Sequence, residues 1–187
     1  MALPVARTRD EAHLYMDMRP CVTCGKSEVH WDTALTTDDG SPARRYTGTC
    51  PGCGSAREFI FRLPIRPLLP RPGDVVLFGA EEPSELLDAG EWLYVADICA
   101  QAAVGGPDRE PGPILTPEAR ESLIVAIAAM DEVLKFIADG RDEVPRGGFW
   151  SDRGRRLRQT EPGRFCRRRL LSVRNSYRDA LSRAAAS

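Results

Sequence analysis

Histidine is nearly missing from this chain: His13 and His30 are the only two in 187 residues. General acid–base catalysis uses histidine more than any other side chain, so few candidates remain for it. The chain also lacks His-Glu-x-x-His, Gly-x-Ser-x-Gly, a phosphate-binding glycine loop and Gly-x-Gly-x-x-Gly. Lysine is scarce too, Lys26 and Lys135 standing against 24 arginines (26 basic residues less two). A bias of that size reads as the codon usage of a GC-rich genome, so the number of arginines is not by itself evidence for phosphate binding. The longest apolar run, Leu123 to Met130, has eight residues, far short of the roughly 20 that cross a bilayer. The first twenty residues contain no apolar run with a small-residue cleavage site, unlike a secretory leader. These absences point to a cytoplasmic, non-enzymatic protein with no membrane partner.

A hydrophobic share of 42% is ordinary for a chain that buries a core. Six cysteines are present, four of them in two Cys-x-x-Cys pairs, which suits metal-bound thiolates in a reducing compartment better than disulfides. The pairs are Cys21/Cys24 and Cys50/Cys53, with 25 residues between them, and Gly25 and Gly54 follow the second cysteine of each. Zinc takes four ligands in a tetrahedron, and a two-residue gap lets both thiolates of a pair reach one ion from a tight turn. Glycine there can take the left-handed conformation that turns backbone N–H groups toward the sulfurs. Iron suits the same four-thiolate set. Four thiolates leave no open position, so the expected role is structural.

Residues Val29–Leu35 and Arg44–Thr49 read as strands about a turn at 37–42, and Arg57–Leu63 as a third strand after the second pair. Over residues 21–63 this pattern resembles the zinc-ribbon class. The resemblance implies a small antiparallel sheet around a metal and, because ribbons serve many tasks, leaves function open.

The expected fold is α+β, an N-terminal four-cysteine zinc ribbon of three short antiparallel strands followed by a mainly helical domain. Residues 1–63 hold a short helix and the ribbon, the helix opened by the capping box Thr8-x-x-Glu11 and ended by Pro20. Residues 64–74, with Pro64, Pro67, Pro70 and Pro72, form a stiff connector. Residues 75–187 begin with a short strand, Val75–Phe78, and then turn helical. Asp88-x-x-Glu91 caps a helix stopped by Gly105-Gly106-Pro107, and Thr116 with Pro117 opens one that runs to Asp139 and stops at Gly140. Helices over 151–159 and 162–185 complete the pattern. In the latter, Cys166, Leu170, Val173, Tyr177, Leu181 and Ala184 would share about 60° of arc, making Cys166 a buried apolar residue. Cys99 reads the same way beside Trp92 and Val95. The adjacent Asp131 and Glu132 point about 100° apart on a helix and read as a solvated edge.

Charge is segregated. Residues 146–187 hold 12 arginines and three acids, net +9, and residues 1–145 hold 14 basic and 24 acidic residues, net −10. The basic end either folds over the acidic body or meets an anionic partner. The leading expectation is a zinc-stapled adaptor or inhibitor that docks a protein partner, with Phe149, Trp150, Arg153, Arg155, Arg156, Arg167 and Arg168 as contacts, since aromatics and arginine dominate binding hot spots. The alternative is a nucleic-acid binder using the same Arg-rich segment for phosphates, weakened by a pI near 6.2 and a ribbon with no basic cluster interleaved with aromatics. An enzyme assembled from scattered residues is the third reading.

Overall fold

In the computed structural model, which describes residues 3–104 and 115–185, Thr8 ends an extended segment and its hydroxyl accepts from the Glu11 N–H at 3.1 Å, opening helix α1, Arg9–Asp17. The Glu11 half of the box reaches further back than expected. Its fully buried carboxylate accepts from the Arg7 N–H at 2.7 Å and from the Arg7 guanidinium at 2.7 and 3.0 Å. A carboxylate without water needs such partners, and Arg7 supplies both a backbone and a charged one.

The strands are β1, Asp32–Asp38, β2, Ser41–Thr49, and β3, Ala56–Arg62, an antiparallel meander in the order β1-β2-β3. The turn after β1 is tighter than the expected six residues. Asp39 and Gly40, with φ of +46° and +77°, make a two-residue loop closing on the Asp38–Ser41 pair, the geometry that Asp-Gly favours because its twist matches the strands. Both strands therefore run further toward the turn than the polar residues there suggested. One sheet face carries Tyr46, Phe59 and Phe61, which meet His13, Tyr15 and Trp31 edge-on at 5.5–6.0 Å between ring centroids. Trp31 itself precedes β1, and the Val29–Trp31 segment lies over Gly48, where a Cβ would come within 2.5 Å of the His30 carbonyl. The expected strand Val29–Leu35 thus starts three residues late.

By its contacts the chain forms two units, Met1–Leu69 with Phe78–Ala80 and Ser84–Leu86, and Pro70–Leu77 with Glu81–Pro83 and Leu87–Ser187. The Pro64–Gly73 stretch has no regular structure, and the strand expected at Val75–Phe78 does not form.

The second unit is helical: α2, Ala89–Val104, α3, Pro117–Lys135, α4, Asp152–Thr160, and α5, Arg167–Ala185. Thr116 caps α3 through its hydroxyl, with Pro117 at the first helical position, as its sequence dictates. α3 packs on both α2 and α5, which explains its apolar middle; Leu123, Ala126, Ala129, Met130 and Val133 are buried. It ends at Lys135, short of Asp139. The Gly105–Pro107 stop of α2 lies outside the described residues.

Two expectations fail here for a tertiary reason. Glu132 is buried and paired with Lys135 rather than solvated, while Asp131 takes Arg174 at 2.7 Å and Arg178 at 3.2 Å from α5. The single helix 162–185 is a short 3-10 turn, Pro162–Phe165, and then α5. Cys166 lies between them with an extended backbone, bridged to Glu143, and is half-buried. The helical-stripe argument therefore does not apply to it, although Leu170 on the same stripe is fully buried.

Asp88 holds the second unit at its centre. Its Oδ1 accepts from the N–H groups of Gly90 (3.0 Å) and Glu91 (2.9 Å), capping α2, and its Oδ2 accepts from Trp150 (2.8 Å) and Ser151 (2.7 Å), the residues leading into α4. Gly90 and Gly154 let α2 and α4 touch backbone to backbone. A Cβ on Gly90 would overlap the Cα of Gly154, and a Cβ on Gly154 would overlap the Asp88 carboxylate.

Candidate metal centre

Each Cys pair sits on a hairpin-like knuckle, and the two are built alike. In the first, the Gly25 N–H donates to the Cys21 carbonyl and the Cys21 N–H to the Lys26 carbonyl, both at 2.8 Å. In the second, Gly54 donates to Cys50 and Cys50 to Ser55, both at 2.9 Å. Gly25 and Gly54 have φ of +77° and +75°, the left-handed conformation that closes each knuckle and disfavours a side chain. The second knuckle joins β2 to β3, so the sheet positions it, and the first precedes the segment leading to β1.

The knuckles bring four sulfurs together. Cys21 Sγ lies 3.6 Å from Cys53 Sγ and Cys24 Sγ lies 3.4 Å from Cys50 Sγ, and all four fall within 4.8 Å of one another. A tetrahedron with metal–sulfur bonds of about 2.3 Å has sulfur–sulfur edges of about 3.8 Å, so these four fit one ion. Cys21 and Cys50 are buried and Cys24 and Cys53 exposed, which places the site at the tip of the sheet rather than in a cavity.

The knuckle amides also prepare the sulfurs as ligands. The Thr23 and Cys24 N–H groups, with help from Ser55, bring the Cys21 thiol down to about 5, and the Ser55 hydroxyl, 2.7 Å from Cys53 Sγ, lowers that thiol as well. At Cys24 the Lys26 N–H pulls the thiol down, but the Cys50 sulfur, burial and the other two sulfurs outweigh this and push it up to about 11. A set that cannot all ionise without a cation is one that a divalent metal deprotonates on binding. Ser55 was not read from the sequence, though its place two residues after Cys53 mirrors that of Lys26 after Cys24.

The basic segment divides by environment. Arg164 makes a two-pronged pair with Asp97 at 2.6 and 2.9 Å, and Arg158 reaches Glu143 at 3.4 Å. Arg167 donates to the carbonyls of Ile137, Ala138 and Arg141 at 3.0–3.1 Å, just past the end of α3. Arg155 holds the Trp150 carbonyl and Asp152. Arg153 lies over the Tyr94 ring at 3.7 Å, and Arg156 and Arg168 are exposed. The aromatic pair splits: Phe149 is buried edge-on against Phe165 at 4.7 Å, while Trp150 is 40% exposed beside Phe136. Burial removes Phe149 from the surface contacts expected of this loop, and the half-buried Arg167 is engaged with backbone carbonyls of its own chain.

His13 packs on Tyr46, and burial lowers its pKa; His30 is exposed. No helix among the described residues is long and apolar enough to cross a membrane. No protein-family profile matches the chain, nor does any curated protein or solved structure. The class rests on the residues themselves: an α+β chain whose four cysteines lie together beside a three-stranded sheet, fit for a metal such as zinc.

Proposed function

We propose that this chain is a non-enzymatic interaction protein whose four-cysteine site holds zinc in a structural role and whose helical unit docks a protein partner. The observation that carries the reading is the exposed Trp150 at the start of α4. Its backbone is tied to Asp88 and Arg155, yet its ring is part exposed. A rigidly held aromatic beside arginines is the composition of a binding hot spot. Arg153, Arg155 and Arg156 on α4 give the face a positive charge that suits an acidic partner.

Nucleic-acid binding is the weaker reading because Arg158, Arg164, Arg167, Arg174 and Arg178 all meet internal carboxylates or carbonyls. A catalytic reading gains no support from histidine, since one of the two is packed and the other lies alone on the surface.

Capture of binding proteins by the tagged chain, with and without nuclease, tests this. Trp150→Ala combined with Arg156→Glu is expected to abolish capture while leaving helical circular dichroism unchanged. Capture that is lost with nuclease, or that survives the double substitution, contradicts it.

A further inference from the structure

The sheet of the first unit has two edges, and they are treated differently. The β3 edge is capped at its last residue, Arg62, by the N-terminal segment, which runs parallel to it there: the Ala6 N–H donates to the Arg62 carbonyl at 3.1 Å and the Arg62 N–H to the Pro4 carbonyl at 3.0 Å. The β1 edge has no such cover among the described residues.

The tight turn fixes which backbone groups of β1 face outward. A two-residue loop with positive φ at both positions closes on a hydrogen-bonded pair, here Asp38 with Ser41. Hydrogen-bonded and non-hydrogen-bonded pairs then alternate. Asp32, Ala34, Thr36 and Asp38 direct their N–H and C=O at β2, and Thr33, Leu35 and Thr37 direct theirs away from the sheet. Pro42 agrees with this register. It stands opposite Thr37, in a pair that needs no N–H from it, and its carbonyl accepts from Leu63 on the β3 side at 2.8 Å.

Edge strands are ordinarily blunted by central charges, proline, a bulge or a covering segment. Residues Thr33–Thr37 carry none of these devices. Leu35 is 73% exposed and shares its face with Arg44, its cross-strand partner. The only charges are Asp32 and Asp38 at the two ends, Asp38 also accepting from the Leu3 N–H at 3.4 Å.

We propose that the outer edge of β1 is a strand-docking site for an extended segment of a partner protein, basic at both ends and apolar at its centre. The ends set the partner's charge. Full-length two-fold pairing with a second copy would centre Leu35 on Leu35 and set Asp32 against Asp38 twice, and like charges directly opposite are destabilising. The arrangement thus selects against self-association while favouring arginine or lysine opposite each aspartate. Backbone bonding at Thr33, Leu35 and Thr37 supplies the attachment, and an apolar side chain beside Leu35 covers its exposed surface. The site lies apart in the chain from the Trp150 region and does not depend on it.

The test uses the full-length zinc-loaded chain, labelled with 15N, and the capped peptide Arg-Thr-Thr-Val-Thr-Thr-Arg. The expected result is saturable shifts centred on the Thr33, Leu35 and Thr37 amides. Replacing both peptide arginines by aspartate should weaken binding about tenfold, from two ion pairs turned repulsive. Leu35→Pro, which removes an outward N–H without touching the β2 ladder, should lose the peptide. Asp32→Lys with Asp38→Lys keeps the ladder intact and should reverse the charge preference, which keeps the idea testable if Leu35→Pro unfolds. Absence of shifts at β1, equal affinity for the two peptides, or an unreversed preference overturns the proposal. So does concentration-dependent dimerisation through β1, which would make the occupant a second copy.

Discussion

Replacing Asp88 by alanine is expected to be among the most damaging single changes in the helical unit. The carboxylate is fully buried and accepts four backbone N–H groups, two at the start of α2 and two at the entry to α4. Loss of the helix cap costs about 1 kcal/mol. Each of the Trp150 and Ser151 N–H groups left without a partner costs about 1–3 kcal/mol, with the lower half of that range applying because both are only part-buried. The sum, about 3–5 kcal/mol, lowers the melting temperature of a domain of this size by about 12–40 °C. Asp88→Asn should fall between wild type and Asp88→Ala, since an amide keeps one acceptor oxygen and turns its NH2 on the remaining donors. Gly154→Ala, which drives a methyl into the same carboxylate, should destabilise the unit too. Thermal and urea unfolding followed at 222 nm measures all three. A loss under about 1 kcal/mol for Asp88→Ala would overturn the assignment of Asp88 as an anchor, because it would mean that loosely ordered water replaces four bonds at no cost.

The arginines give a paired comparison: Arg167→Ala, which strips the carbonyls past the end of α3 of their donor, should cost about 1–2 kcal/mol, whereas Arg168→Ala should stay within about 0.5 kcal/mol. Equal effects in urea unfolding would contradict the assignment. Burial pushes the Cys99 thiol above its ordinary pKa, so less of it is thiolate at any given pH. Maleimide labelling of native Cys99 should therefore be slow at pH 7 and rise only above the usual thiol range, and rapid labelling at pH 7 would count against its placement on the inner face of α2.

The parts readable from the sequence are those written locally. Two Cys-x-x-Cys-Gly units, Thr8 and the Thr116-Pro117 cap each dictate their own backbone, and the structure follows them; the turn within 37–42 is legible too, though the structure narrows it to Asp39 and Gly40. The parts that are not readable depend on what comes from elsewhere in the chain. Glu132 reads as a surface acid until Lys135 and the α3 packing bury it, and Phe149 reads as a free aromatic until Phe165 arrives beneath it. Asp88 is readable as a cap for α2 but not as the anchor of residues 150 and 151, some 60 positions later. Gly154, a glycine inside an arginine-rich helix, is a signal of close approach whose partner only the fold supplies. Cys166 falls outside the expected stripe because the 3-10 turn at Pro162–Phe165 takes it out of α5, which helical periodicity alone does not reveal.

Everything in the first unit turns on whether Cys21, Cys24, Cys50 and Cys53 together hold one metal ion that ties down the sheet. X-ray absorption at the metal edge of the natively purified chain, combined with elemental analysis, addresses this without intermediaries. The expected result is one zinc per chain surrounded by four sulfurs at about 2.3 Å, with Cys24→Ser losing the metal. A chain with no bound metal, a first shell containing nitrogen or oxygen, or a Cys24→Ser variant that keeps its full zinc content would contradict it.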